Sequence, residues 1–266
     1  MVTQSIANNS ANNPPVLALN GISKVWRSAK NGDIEALTEI SMDIHEGEFV
    51  SIVGPSGCGK STLLNILAGL DDPSKGNILI RGKSRGDRLG HIGYMHQKDL
   101  LLPWRNVLDN AILAKEIRGA SKEFARQEAM KMMSEFGLSG FEHNYPYQLS
   151  GGMRQRVALL RTILADNEVM LLDEPFGALD ALTRSNMHEW LLDSWESWNK
   201  TLVLVTHDVE EALLLSDRVY VLGGRPGFVK SVVSVDMGRP RSLEMSDQSE
   251  FLRLKSHVLG LLKSTS

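Results

Sequence analysis

Cysteine is almost missing from this sequence: its 266 residues include one, Cys58. A disulfide within the chain is therefore excluded, and the shortage agrees with a reducing compartment. No apolar run approaches the length of about 18 residues that crossing a bilayer requires, so no membrane span is expected. Basic residues are not in excess either. The net charge of -3 gives no basic surface that would mark a nucleic-acid partner, and none is expected. The first residues lack both a cationic start and an apolar stretch. Asn8, Asn9, Asn12 and Asn13 lead to Pro14 and Pro15, and residues 1–15 read as a disordered tail rather than a signal peptide. There is no internal repeat. What is left, 42% hydrophobic and 23% charged, suits one large globular domain or a domain carrying an inserted subdomain.

Within that frame the hydrophobic pattern changes character along the chain. Ala18 to Trp26 and Ile34 to Ile44 alternate, which predicts antiparallel strands. Phe49 to Val53 is a compact apolar run ending at Gly54, and Leu63, Leu64, Ile66, Leu67 and Leu70 then recur at helical spacing. Ile92 to His96 reads as a further strand, and Val169 to Leu172, Leu202 to Val205 and Val219 to Leu222 as strands of the fully buried type. Such strands, separated by helices, imply a mainly parallel sheet covered on both faces. From about Asn106 to Ala165 the periodicity is helical. Ala125, Ala129, Met132, Met133 and Phe136 share one face, and Gly137 ends the helix. We read this block as a helical subdomain inserted at about 99–160 into an α/β domain spanning 16–240. Residues 241–266 form a tail whose helix carries the stripe Phe251, Leu254, Val258, Leu259 and Leu262, expected to dock on its own domain. Met187, Trp190, Leu191, Ser194, Trp195 and Trp198 likewise read as a packing face.

Chemistry enters at Gly54-Pro55-Ser56-Gly57-Cys58-Gly59-Lys60-Ser61-Thr62, which fits the phosphate-loop pattern G-x-x-x-x-G-K-[ST]. Its glycines let several backbone N–H groups point at one phosphate chain, Lys60 adds a point charge on the β- and γ-phosphates, and Ser61 offers an oxygen to Mg²⁺. The strand before it and the helix after it supply the context such a loop needs. Val169-Met170-Leu171-Leu172-Asp173-Glu174 is an apolar strand delivering two acids at its C-terminal end, where open α/β sheets bind ligands. Asp173 would hold Mg²⁺ through water and Glu174 would polarise an attacking water. Taken alone, such a strand end is more often just a strand meeting solvent. Ser150-Gly151-Gly152 opens a second helix with bared N–H groups at a positive end, with Ser150 as N-cap.

Leu149-Ser150-Gly151-Gly152-Met153-Arg154-Gln155-Arg156 resembles the signature motif of ATPases of the ATP-binding-cassette (ABC) class, and the remaining motifs follow in that order. The resemblance covers about residues 16–235. It implies ATP and Mg²⁺ as ligands, with roles for further residues. Gln97 looks like the glutamine that reaches Mg²⁺ and links the core to the helical insert. Asp180, in Phe176-Gly177-Ala178-Leu179-Asp180, resembles the acid that touches the opposite monomer. His207, in Thr206-His207-Asp208, resembles the histidine that contacts the γ-phosphate and holds the catalytic water, and Trp26 stands where the family stacks an aromatic on adenine. His96 beside Gln97 reads as incidental. The resemblance also implies a head-to-tail homodimer, in which the signature helix of one chain closes the ATP of the other.

A narrower likeness lies in Leu102-Pro103-Trp104-Arg105-Asn106-Val107-Leu108-Asp109-Asn110 and in Gly177 to Arg184. It is to import ATPases for nitrate, sulfonate, taurine, bicarbonate and the hydroxymethylpyrimidine precursor of thiamine. The wording Tyr94-Met95-His96-Gln97 leans toward the pyrimidine group. This implies a peripheral subunit on the cytoplasmic face of the inner membrane, working with membrane permease subunits and indirectly with a substrate-binding protein. The apolar loop Leu100 to Trp104 is then expected to face the permease. The other class, a soluble ABC ATPase acting on DNA, ribosomes or cluster assembly, usually shows long coiled coils or two cassettes in tandem. This sequence has neither.

Overall fold

The computed structural model describes residues 14–27, 32–84, 88–198 and 200–264. The expected N-terminal tail, Pro14 and Pro15 excepted, lies outside the described residues, as does the side chain of Trp198. Two sheets form. The first is antiparallel, built from β1 (Leu17–Trp26), β2 (Ile34–Ile44), β4 (Lys75–Ile80) and the short β5 (Lys83–Ser84), in the order β2-β1-β4-β5. The second contains β3 (Phe49–Val53), β6 (Ile92–Met95), β7 (Val169–Asp173), β8 (Thr201–Val205), β9 (Arg218–Gly223) and β10 (Phe228–Ser234). Its order is β10-β9-β3-β8-β7-β6, parallel throughout except for the antiparallel edge strand β10.

Strands β3, β7 and β8 are buried at every position, as expected of parallel strands covered on both faces. Their side chains alternate between two cores because successive residues point to opposite faces. Val50, Ile52, Val169, Leu171, Val203, Val205, Tyr220 and Leu222 join a core with the antiparallel sheet and with α1 (Lys60–Ala68). Phe49, Met170, Leu172, Leu202, Leu204, Val219 and Val221 join the other core, shared with most of the remaining helices. The phosphate-loop strand β3 is thus central in both directions. It lies between β8 and β9 in the sheet and between two cores across it.

Between β6 and β7 the chain runs through α2 (Val107–Ala111), α3 (Leu113–Ile117), α4 (Lys122–Met133) and α5 (Gly151–Leu164). Ala125, Ala129, Met133 and Phe136 are buried here, and Gly137 adopts a positive φ of 58° just past the helix. After β7 come α6 (Ala181–Trp198), α7 (Val209–Leu215) and α8 (Ser249–Lys263). Trp195 packs edge-on against Phe49 at 5.6 Å and Trp190 against Phe136 at 4.5 Å, so α6 ties the sheet to the helical stretch before β7. The α8 stripe is seated on its own chain: Phe251, Leu254 and Val258 are buried, and Leu259 and Leu262 pack against the same core.

Candidate active site

The phosphate loop is shaped by close contacts that leave no room for side chains. A Cβ on Gly59 would lie 2.6 Å from Leu37 Cδ2 and 2.8 Å from the Ala36 carbonyl, and Gly59 also has a φ of +93°. A Cβ on Gly54 would likewise lie 2.8 Å from Cys58 Sγ and 3.0 Å from the Leu222 carbonyl oxygen. Cys58 itself is buried, which pushes its thiol up from the usual range. Gly59 is also the N-cap of α1. It offers no side chain to the helix N–H groups, and no acid occupies the first turn, so the positive helix end is left for an anion. Lys60 Nζ donates to the carbonyls of Gly54 at 2.8 Å and Pro55 at 3.1 Å, which holds the ammonium inside the loop.

This loop floors a cleft of about 530 Å³ lined by Ser56, Gly57, Gly59, Lys60, Ser61 and Thr62, and across from them by Asp173 and Glu174. Asp173 ends β7 and is 2% exposed. Burial pushes its carboxyl above the usual range and the Glu174 carboxylate reinforces this, while the Ser61 hydroxyl and the charges of His96 and Lys60 oppose it. Its Oδ2 is buried with no hydrogen-bond partner. An unsatisfied carboxylate oxygen beside a serine hydroxyl and a phosphate loop fits the oxygen ligands that Mg²⁺ takes.

Glu174 is the strained residue of the site. Its φ of +48° is left-handed, which costs a non-glycine residue roughly 1–3 kcal/mol. Three hydrogen bonds hold the backbone there. Glu174 N donates to the Val205 carbonyl at 2.9 Å, and the Glu174 carbonyl accepts from Gly177 N at 3.2 Å and Gln155 Nε2 at 3.4 Å. The side chain is consequently aimed at the residues beyond the two strand ends. Gln97 Nε2 donates to Glu174 Oε2 at 3.2 Å, and His207 Nδ1 stands 3.3 Å from Oε1. His207 is 70% exposed on its far side. Its neighbour Asp208 caps α7 by accepting from Glu210 N and Glu211 N, which fixes the turn that presents the histidine. Three of the residues selected from sequence thus meet at one carboxylate, with Gln97 turned to Glu174 in this arrangement.

The other selected residues lie outside the cleft. Ser150 caps α5, its Oγ accepting from Met153 N at 3.2 Å, but none of Ser150, Gly151 and Gly152 lines the cleft. Gly152 instead abuts Leu179 and the Ala178 carbonyl of its own chain, at 3.2 and 3.4 Å from a built Cβ. Asp180 is exposed at the start of α6. It accepts from Thr183 N and Thr183 Oγ1, and these bonds hold its carboxyl below the usual range. Trp26, 40% exposed at the end of β1, carries Lys24 Nζ 4.2 Å over its ring and leaves its other face unmatched by any ring among the described residues. It does not line the cleft, although its cross-strand partner Ile34 does.

Two features escaped the sequence. Arg225 and Pro226, from the turn between β9 and β10, line the cleft beside the phosphate loop. Gln155, buried in α5, ties the signature helix to Glu174. The apolar loop after Gln97 also divides differently from expectation. Trp104 is 72% exposed and Leu100 is exposed, but Leu101 is 9% exposed and belongs to the core. The loop is pinned from within. Asn110 accepts from Leu102 N and donates to the Leu102 and Arg105 carbonyls, while Arg161 donates to the Asp99 and Leu100 carbonyls. Among the described residues no helix is long and apolar enough to cross a membrane.

Comparison with known proteins gives a consistent result. Residues 37–177 match the family model described as ABC transporter. An uncharacterised ABC transporter ATP-binding protein of Methanocaldococcus jannaschii is 44% identical over 93% of this chain and 91% of its own length. A taurine import ATP-binding protein of Yersinia pseudotuberculosis is 43% identical over 85% of this chain and 90% of its own. Among solved structures, the dimeric post-hydrolysis state of an ATP-binding cassette bound to ADP and phosphate superposes with a TM-score of 0.75. That protein is 34% identical, over 84% of this chain and all of its own.

Proposed function

Because the chain belongs to the ABC transporter family, we propose that it is the ATP-binding and ATP-hydrolysing subunit of an importer, driving uptake of a small nutrient through membrane permease subunits. The observation that carries this reading is the meeting of Gln97 and His207 at the carboxylate of Glu174, a residue that lines the cleft floored by Lys60 and Ser61. Phosphoryl transfer needs positioning and charge neutralisation more than covalent chemistry, and the cleft offers both. The loop N–H groups and Lys60 bind the phosphate chain. The Glu174 carboxylate accepts a hydrogen bond from the attacking water and takes its proton as the water oxygen bonds to the γ-phosphorus. The bond to the bridging oxygen breaks, and ADP and phosphate leave. His207, anchored on Glu174, orients the water and contacts the γ-phosphate. Ser61 and Asp173, with Gln97, would hold Mg²⁺, which when bound supplies positive charge against the β- and γ-oxygens.

The outward-facing signature end, Ser150 to Gly152, supports a second requirement: the γ-phosphate is closed over by another copy of this chain, with Asp180 at the contact. Two equivalent sites then form in a homodimer. Trp26, paired across the strands with the cleft-lining Ile34, stacks on adenine. The exposed Leu100 and Trp104 receive the permease, placing the subunit peripherally on the cytoplasmic face of the inner membrane, with a substrate-binding protein reached only through that permease. The ATPase unit spans 16–240 with its helical insert at about 99–160, and 241–266 is an appended tail. The nutrient belongs to the nitrate, sulfonate, taurine, bicarbonate or hydroxymethylpyrimidine class.

Vesicles containing the chain with its permease test this reading. ATP-dependent uptake of taurine, an alkanesulfonate, nitrate, bicarbonate or hydroxymethylpyrimidine is expected, and neither a Lys60→Ala nor a Ser150→Ala chain should support it alone. A mixture of the two variants should recover part of the activity, since some dimers carry one intact composite site. Purification of the active ATPase with ribosomes or DNA, in place of a polytopic membrane protein, would overturn the importer reading.

A further inference from the structure

We propose that Arg225 is a nucleotide-binding residue of this chain, a second cationic side chain that contacts the phosphate oxygens beside Lys60. The inference rests on the reading of the cleft as the nucleotide site. Arg225 lies 169 residues from the loop it touches, yet its Nη2 donates to the Ser56 carbonyl at 2.7 Å and its side chain lines the cleft. The guanidinium fills the space a side chain at position 57 would need. A Cβ built there would stand 2.1 Å from Nη2 and 2.6 Å from Cζ. Gly57 also has a φ of +79°, so one glycine serves both the turn of the loop and the approach of the arginine.

The backbone that carries Arg225 is fixed. Gly227 N donates to the Ala36 carbonyl at 3.0 Å, and Thr38 N donates to the Gly227 carbonyl at 2.9 Å. Gly227 presses so closely on the phosphate loop that a Cβ there would lie 1.9 Å from the Cys58 carbonyl oxygen. The turn is therefore bolted to β2 on one side and seated on the loop on the other. The backbone at Arg225 is thus held beside the loop, and its guanidinium reaches the Ser56 carbonyl. Among the described residues it makes one hydrogen bond, which uses one of several guanidinium donors, and it forms no ion pair. A guanidinium with free donors, anchored on a phosphate loop and unmatched by a carboxylate, is a site for phosphate oxygens.

Equilibrium binding of ATP, ADP and AMP to the full chain tests the assignment through Arg225→Ala, Arg225→Gln and Arg225→Lys. Glutamine is a polar replacement that carries no charge, and lysine keeps the charge without the guanidinium fork. Arg225→Gln and Arg225→Ala should each weaken ATP and ADP roughly tenfold or more, the scale of a lost bond to a charged group, and AMP less. Arg225→Lys should restore part of the loss, and the thermal midpoint of the nucleotide-free protein should not move. Parent-like ATP binding by Arg225→Gln would overturn the proposal and reduce the guanidinium to a brace for Ser56. Equal losses for all three nucleotides with a lowered midpoint would overturn it in favour of a folding role. Lys60→Ala, measured alongside, separates the two levels. If it too binds ATP like the parent, the cleft is not the nucleotide site. If it alone fails, only the Arg225 assignment falls.

Discussion

Replacing Glu174 by glutamine should separate hydrolysis from binding, and the structure sets the size of each effect. The substitution is isosteric and leaves the left-handed backbone bonds to Val205, Gly177 and Gln155 in place. It removes one acceptor. Whichever way the amide turns, its NH₂ must face either the Gln97 amide, which now donates to Oε2, or the His207 ring, whose Nδ1 now stands against Oε1. The loss is one partly exposed hydrogen bond, about 0.5–1.5 kcal/mol, which bounds the change in ATP affinity to about tenfold. Turnover loses more, because the neutral amide cannot take the proton of the attacking water. A positioned general base contributes about 10²–10⁴ in rate, so kcat should fall at least ~100-fold, about 2.7 kcal/mol of barrier. Phosphate release at saturating ATP gives kcat, and nucleotide titration gives the affinity. ATP should accumulate in a long-lived dimer. A purified Glu174→Gln chain that turns over within about tenfold of the parent would refute the assignment of Glu174 as base.

Asp173→Asn should raise the thermal midpoint of the nucleotide-free protein near neutral pH while abolishing hydrolysis. The folded chain holds the Asp173 proton more tightly than the unfolded chain, so this group's contribution to stability is present at acid pH and is lost as pH rises through its raised folded value. The gap between variant and parent should therefore close on acidification, which melting curves across pH would show. Trp26→Ala should weaken ATP binding by about 1–3 kcal/mol, with Phe or Tyr restoring most of it, since one face of the ring is already covered by Lys24. Unchanged affinity would make the residue structural. Trp104→Glu should leave the isolated ATPase folded and active while abolishing uptake and permease-stimulated turnover. Leu101→Glu is the wrong probe, because a charge buried in that core should destabilise the fold itself.

The fold was most legible where a local pattern and burial say the same thing. The runs at β3, β7 and β8 are apolar throughout because both faces are covered, and their sequences say so without any knowledge of neighbours. Strands β4 and β10 were not legible. Lys75 to Asn77 are exposed, leaving three apolar residues, and β10 lies on the sheet edge with one fully buried position. The candidate site divides in the same way. Asp173, Glu174 and His207 announce themselves as polar residues at the ends of buried strands. Arg225 follows a glycine pair and precedes a proline, which reads only as a turn, and its role arises from a contact no local window contains. Leu101 shows a further limit: an apolar loop residue looks the same whether it meets a partner or its own core, and here Asn110 and Arg161 fold it inward.

The order of strands in the parallel sheet also bears on how the molecule is made. Strand β3 is complete once residue 53 has been added, but the strands that flank it, β8 and β9, are residues 201–205 and 218–223. The turn that seats on the phosphate loop follows later still, at Arg225 to Gly227. At the usual pace of synthesis, β3 waits on the order of 10–30 s for its neighbours, with the apolar run Phe49 to Val53 unpaired in the meantime. Nucleotide can offer no early help, because the loop that would bind it has no sheet beneath it until the last quarter of the chain emerges. The energy-binding centre of the molecule is therefore among the last parts of the nascent chain to take shape, even though its motif is among the first to be translated.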